Sequence, residues 1–326
     1  MGFAARKRER GRRMHTNAES RTPPRVAVLL ATHLGRTYLD EQLDSILDQA
    51  GADLHVFVSD DGSTDGTLEL LAERAAADAR ITILPPETFG APAPNFFRLL
   101  TTIPIEEYDY VGFADQDDVW MPGKLERHIR LLTEGHADGV SSNVTAFSED
   151  GTRILIKKDY PQRLADHLFE TPGPGSTFLL TRRFAHLVAE QLDNPDSPAR
   201  EAFAHDWLIY ALARAAGLRW IIDGESTVDY RQHVANAVGA NTGLAQAWKR
   251  LRLTSNRWHR GQVQLTVEAC IHIASPEELP RLQWLHEILV EFTYRDALRL
   301  VRRWRQLRRR PRDRAALATL ITARLW

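Results

Sequence analysis

RVAVLLAT, residues 25–32, is an apolar run closed by an arginine at one end and a threonine at the other. A strand with one wet face alternates. A run apolar at nearly every position suits a strand buried on both faces, as in a parallel sheet covered by helices. Residues 33–115 repeat that theme. YLDEQLDSILDQA (38–50) spaces Leu39, Leu43, Ile46 and Leu47 as a helix does. LHVFVSD (54–60) reads as a second strand, and DGSTDGTLELLAERAA opens a second helix with Ser63, Thr64 and Asp65 as candidate caps. RITILP (80–85) is a third strand, PNFFRLLTTI a third helix, and YDYVGFAD (108–115) a fourth strand. The alternation predicts an α/β fold, Rossmann-like, with a mostly parallel sheet flanked by helices.

In such sheets ligands bind beyond the carboxyl ends of the strands. The acidic residues sit at those ends. Asp60 and Asp61 close the second strand; Asp115, Asp117 and Asp118 follow the fourth, in VGFADQDDVW (111–120). Two acidic clusters from different strands converge on one edge, and like charges so close call for a cation or for donors such as sugar hydroxyls and base N–H groups.

After residue 120 the pattern is mixed. GKLERHIRLLTE is a helix, and GVSSNVTAFSEDGTRIL reads as two strands joined at EDG. PGPGSTFLLTRRFAHLVAEQL gives a Gly/Pro loop, a strand and a helix. AHDWLIYALARAAG is a helix with His205 and Asp206 at its start, and LRWIIDGESTVDYRQH reads as strand, turn and strand. Beyond about residue 240 the chain looks helical, with Trp248, Trp258, Trp284 and Trp304 on helical stretches.

The 326 residues can bury one large core or two. The chain divides into a disordered basic tail (1–24), an α/β domain (25–240) and a helical C-terminal extension (241–326) that is basic at its end. The single cysteine, Cys270, excludes an internal disulfide and fits a reducing compartment. No apolar run approaches 18 residues, and no apolar core follows the basic start, so neither a membrane span nor a secretory signal is expected.

A net charge of −1 hides an asymmetry. Residues 1–25 sum to about +6 and residues 294–326 to about +9, leaving the body near −16. In YRDALRLVRRWRQLRRR, Leu298, Val301, Trp304 and Leu307 read as one apolar helical face surrounded by arginine. Such a helix either lies on a membrane surface or docks on the domain with its arginines solvated. No recognition motif supports nucleic acid, so none is expected as a partner.

VLLATHLGRTYLDEQLDSILDQ, VSDDGSTDGT, FADQDDVWMPGKL, HDW and YRQH together resemble glycosyltransferase family 2, and DQDDVW and YRQH resemble its rhamnosyltransferase-like members. The resemblance runs from about residue 25 to about residue 240. It implies a GT-A fold, a nucleotide-diphosphate sugar donor, a divalent metal (Mg2+ or Mn2+), and inversion at the anomeric carbon. It points to rhamnose from dTDP-rhamnose, moved onto a hydroxyl of a glycan or lipid-linked acceptor at the cytoplasmic face of the cell membrane.

The resemblance assigns the roles. Asp117 contacts the metal, and Asp115 the ribose or a metal-bound water, as a D-x-D at a strand end would present them on one face. Asp118 either ligates or caps the following turn. Asp61 holds the base or its ribose, with Asp60 beside it; alternatively both cap the helix near Ser63. Thr32 matches a nucleotide-contacting position. Family members usually continue with Tyr-Asn; here the chain reads His33-Leu34, so base stacking falls to His33 or is lost. Asp206 matches the catalytic base, with an N-cap aspartate as the alternative. His205 and Trp207 flank it as pocket wall, and Trp120 is placed at the pocket edge. Arg231 is assigned to a phosphate and His233 to the metal or diphosphate. Gly175 and Ser176, in PGPGST, allow close backbone approach to a sugar. Two other readings remain: an aspartate-nucleophile phosphatase, from the D-x-D after a strand, and a non-catalytic nucleotide-sugar binder, from the His33-Leu34 departure.

Overall fold

The computed structural model describes residues 22–148, 150–232 and 257–326. The expectations for residues 1–21, for His233 and for Trp248 lie outside the described residues.

Strand β1 (Arg25–Thr32) lies between β2 (Asp53–Asp60) and β4 (Tyr110–Asp115), parallel to both, with β3 (Ile81–Ile83) parallel outside β2. Both faces of β1 are covered, which explains its unbroken apolar sequence. Val26, Val28 and Leu30 share a core with α1 (Leu39–Leu47), α2 (Thr67–Ala77) and α4 (Lys124–Gly135). Ala27 and Leu29 join a second core with α3 (Pro92–Thr102), α5 (Arg182–Asp193) and α6 (His205–Ala215).

Past β4 the sheet continues through β8 (Leu179–Thr181), β6 (Gly139–Phe147), β9 (Trp220–Arg231) and β5 (Val119–Trp120), with β7 (Arg153–Ile156) also paired to β6. This half is mixed. Only β6 and β9 run parallel; β4–β8, β8–β6, β6–β7 and β5–β9 are antiparallel. The register sets Thr32 beside Asp60 and Ala31 beside Asp115, so three strand ends share one edge.

Two local expectations are corrected. β4 stops at Asp115, and Gln116 and Asp117 form a turn, so no strand periodicity presents the D-x-D pair. Residues 220–231 form one strand, not strand, turn and strand. The Asp-Gly pair is instead a bulge where the β6–β9 register shifts. Arg127 takes both oxygens of Asp223, at 2.5 and 2.8 Å, and the Asn143 amide donates to the Gly224 carbonyl at 2.6 Å.

The C-terminal part is helical: α7 (Trp258–Ile271), α8 (Leu279–Glu291), α9 (Tyr294–Val301), α10 (Trp304–Leu307) and α11 (Pro311–Thr322). These helices pack into the core that holds α6. The face expected from Leu298, Val301, Trp304 and Leu307 does not exist. The helix breaks after Val301, Leu298 is 39% exposed and Leu307 is buried. Terminal Trp326 is buried too, packs near Phe169 and Phe292, and donates from Nε1 to His259 Nδ1 at 2.7 Å.

Candidate active site

At the ends of β1 and β2, Thr32 Oγ1 donates to Asp60 Oδ2 at 2.8 Å. Asp60 also accepts from the Ser63 amide at 2.8 Å and the Ser63 hydroxyl at 2.6 Å. Asp60 therefore holds the turn after β2; it does not cap α2, which starts behind Gly66 at φ +92° without a side-chain cap. Asp61 Oδ1 accepts from the amides of Phe89 and Gly90 and ties down the loop after β3. The exposed His33 ring lies 2.7 Å, through Nδ1, from the Asp61 carbonyl.

Beyond β4 the carboxylates crowd. Burial, and then the charges of Asp117 and Asp206, push Asp115 up to about 7. Burial, and then Asp115 and Asp117, likewise raise Asp118 well above the usual carboxylate range. Asp118 is buried and accepts from Ser176 Oγ at 2.7 Å and from the Arg231 amide at 3.2 Å. The hydrogen bonds of Asp118 knit the turn to β9 and to the 3-10 turn Gly175–Thr177. Arg231 Nε donates to the Asp117 carbonyl at 2.9 Å, and its guanidinium pairs with Glu41 and stacks against Tyr38 and Phe147. The expected phosphate ligand is thus also the brace of the acidic turn.

Asp206 lies in the first turn of α6 and accepts from the Trp207 amide at 2.7 Å; the N-cap is Ala204, not Asp206. Burial raises Asp206 to about 6, against hydrogen bonds from Trp207 and Thr171 and the charge of Lys158. Phe113 of β4 stacks on His205 of α6, with ring centres 5.8 Å apart, so the fold brings the end of β4, the following turn and the start of α6 to one place. His205 lies beneath, buried 4.0 Å from the Phe96 ring and stacked near Phe113, and burial alone lowers it to about 3. A Cβ on Gly175 would sit 2.1 Å from His205 Nε2, so the loop needs glycine here.

Two expected pocket residues are core residues. Trp120 is 1% exposed, packed among Leu125, Leu179 and Val228, with Lys124 Nζ 3.4 Å from its ring centre. Trp207 is buried, donates to the His167 carbonyl at 3.0 Å and stacks on His259. An aromatic beside an acidic motif fills the core as readily as it walls a pocket.

Sequence reasoning missed the braces. Gln116, the middle residue of D-Q-D, accepts from the His33 amide at 2.7 Å and donates to the His33 carbonyl at 2.8 Å. It closes the β1 edge onto the β4 edge. Buried Gln42 on α1 donates to the Asp115 carbonyl at 2.7 Å. Its place inside the motif is the sequence signal for Gln116; for Gln42 the signal is a polar residue on the apolar face of α1.

Among the described residues no three His, Cys, Asp or Glu side chains gather as a metal cluster. Asp115 and Asp117 offer hard oxygens suited to Mg2+ or Mn2+, with the remaining positions left to phosphate and water, as those ions accept.

Residues 27–187 match the model of Glycosyl transferase family 2. The chain is 38% identical over 236 residues to the dTDP-rhamnosyl transferase RfbG of Shigella flexneri, covering 72% of this chain and 82% of that protein. It is 29% identical over 131 residues to the putative teichuronic acid biosynthesis glycosyltransferase TuaG of Bacillus subtilis, covering 40% of this chain and 51% of that one. In fold it is similar to S. aureus TarS 1–349 in complex with UDP-GlcNAc, with TM-score 0.54, 15% identity and coverage of 92% of this chain and 90% of that one. It is also similar to the mannosyltransferase PcManGT of Pyrobaculum calidifontis in complex with GDP-Man and Mn2+, with TM-score 0.50, 18% identity and coverage of 94% and 86%. With the GT-A arrangement of a curled sheet between helices and a relative of this identity along most of its length, the chain belongs to glycosyltransferase family 2, among its rhamnosyltransferase-like members.

Proposed function

We propose that this glycosyltransferase moves rhamnose from dTDP-rhamnose to a hydroxyl of a glycan or lipid-linked acceptor, with inversion and with a divalent metal. The observation that carries the reading is the meeting of Asp115, Asp117 and Asp206, whose charges oppose one another in a partly buried site. A cation and a polar donor relieve that opposition. The identity to a dTDP-rhamnosyl transferase supports rhamnose as the sugar.

In this reading Asp61 receives the nucleotide at the end of β2, where buried Thr32 and Asp60 hold the turn to Ser63 rather than the donor. Asp117 and Asp115 would hold Mg2+ or Mn2+, which neutralises charge on the departing diphosphate. Arg231 steadies the acidic turn and faces the phosphates. Gly175 and Ser176 shape the sugar side. Asp206 accepts the acceptor hydroxyl's proton while the oxygen attacks the anomeric carbon from the side opposite the diphosphate. That attack is one displacement: the oxygen–carbon bond forms as the carbon–diphosphate bond breaks, and no sugar–enzyme bond intervenes. A carboxyl raised to about 6 is ionised at pH 7 yet more basic than an exposed aspartate.

The enzyme is proposed to work at the inner face of the cell membrane. Tyr294 and Leu298, exposed on α9, are flanked by the exposed arginines Arg295, Arg299 and Arg302. This small face replaces the longer helical face expected from sequence. No described helix is long and apolar enough to cross a membrane.

A thermal-shift screen of dTDP-rhamnose, UDP-GlcNAc and GDP-mannose, each with Mg2+, Mn2+ or chelator, tests the donor. dTDP-rhamnose with metal should stabilise most; at 100 times the Kd the gain is about 2.7 kcal/mol. An equal shift from all three donors, or one indifferent to chelation, would count against the reading.

A further inference from the structure

Asp61 is tied to two neighbouring segments at once. The strand order β3–β2–β1–β4 puts it at the carboxyl edge of the sheet, with β1 on one side and β3 on the other. On the β1 side its amide donates to the Thr32 carbonyl at 2.8 Å, and the His33 ring lies 2.7 Å from its carbonyl. On the β3 side it forms an isolated parallel bridge with Glu87, and its Oδ1 accepts from the amides of Phe89 and Gly90. Two backbone donors occupy that oxygen, which leaves Oδ2 for an N–H brought by a ligand.

The Phe89 ring is fixed as well. It is half-buried, and the guanidinium of Arg98, from α3, stands 5.8 Å from the ring centre. Arg98 is itself held, by Glu87 at 3.0 Å, by Ser59 Oγ at 3.1 Å and by the Pro85 carbonyl at 2.6 Å. A clamped ring with part of its surface open offers apolar contact without a further ordering cost on binding. The strand order also sets the direction of a nucleotide. With phosphates at Asp115 and Asp117, beyond β4, the ribose side of a base on Asp61 faces β1 and β4. The far edge of a pyrimidine, with C4 and C5, then faces the loop after β3, where Phe89 stands. Uracil and thymine both offer an N3–H to a carboxylate. They differ at C5, where thymine carries a methyl group.

We propose that Phe89 selects a thymine nucleotide, its ring packing against the 5-methyl of a base whose N3–H is held by Asp61. This rests on the reading of Asp61 as the nucleotide site, and it names the residue that separates dTDP from uridine nucleotides there. The hydrogen bond to Asp61 is the same for both bases and cannot separate them. An apolar contact that only one base can make does so.

The test is calorimetry of dTDP and dUDP, each with Mg2+, on wild type, Phe89→Ala, Phe89→Leu, Phe89→Asn and Asp61→Asn. The two nucleotides differ only by the methyl group. Wild type should bind dTDP roughly four-fold tighter than dUDP, the worth of one buried methyl. Phe89→Ala should erase that preference by weakening dTDP while dUDP affinity is kept. Phe89→Leu, still apolar, should retain most of it. Asp61→Asn should weaken both nucleotides alike, roughly ten-fold, the worth of one hydrogen bond to a charged group. Equal wild-type affinities for dTDP and dUDP, or a wild-type ratio in Phe89→Ala, would overturn the proposal. If Phe89→Ala does not fold, Phe89→Asn decides: a polar side chain that keeps the preference overturns it as well. Failure of wild type to bind either nucleotide, or unchanged affinities in Asp61→Asn, removes the nucleotide-site reading itself. Weakened binding by Asp61→Asn beside an unaltered ratio in Phe89→Ala removes this proposal only.

Discussion

At the residue scale, the acidic edge is held by its own hydrogen bonds: Asp60 takes the Ser63 turn and Thr32, and Asp61 the loop at Phe89 and Gly90. Trp120 and Trp207, next to chemical residues in sequence, are buried in the core. Asp206 carries a stability cost. Its carboxyl is raised from 3.8 to about 6 by burial, so between those values the folded chain binds more protons than the unfolded one. Relative to a neutral side chain, its stability contribution is intact below pH 4 and lost as pH rises through 6. Asp206→Asn should therefore stabilise the ligand-free protein at pH 7.5 by about 1–3 kcal/mol, with the difference vanishing near pH 4. Parallel urea denaturation of both proteins at the two pH values checks this; destabilisation at pH 7.5 would show that burial does not strain the carboxylate. Gly175→Ala should cost about 1–3 kcal/mol, because its Cβ would meet a His205 ring held between Phe96 and Phe113. Its thermal midpoint measures that cost.

At the element scale, the strand–helix alternation was readable because β1, β2 and β4 are apolar runs with helices of 3.6 periodicity between them. The D-x-D turn and the Asp-Gly bulge are not legible in the sequence for one reason: both are decided by partners far along the chain. Arg231, well over a hundred residues later, holds the turn through the Asp117 carbonyl, and Asn143 and Arg127 hold the bulge at Asp223 and Gly224. Arg231→Lys keeps the charge but loses the stack on Tyr38 and Phe147 and the forked geometry. Donor affinity should fall roughly ten-fold, the worth of one charge-assisted hydrogen bond. Calorimetry with dTDP-rhamnose and Mg2+ measures it, and an unchanged Kd would free the turn from this brace.

At the scale of the whole molecule, the helical character of the C-terminal part was legible, but its docking was not. The helices look self-sufficient in sequence, whereas their buried faces complete the core over α6, and Arg309 binds Asp166 across the structure. Trp326→Ala, which hollows the contact with Phe169 and Phe292, should cost about 3–5 kcal/mol. Denaturant unfolding should also show one transition for catalytic and C-terminal parts together; two separated transitions would make the extension an independent unit. In the proposed mechanism the carboxylates at the strand ends would hold a metal-bound donor while Asp206 takes the acceptor proton. The most direct measurement is the rate at which dTDP-rhamnose and Mg2+ give transferred rhamnose, followed by NMR for wild type and Asp206→Asn at equal donor occupancy. The expected product has the anomeric configuration opposite to the donor's, and the variant's rate falls roughly 10²–10⁴ with donor affinity intact. Retained configuration, or a variant as fast as wild type, would contradict it.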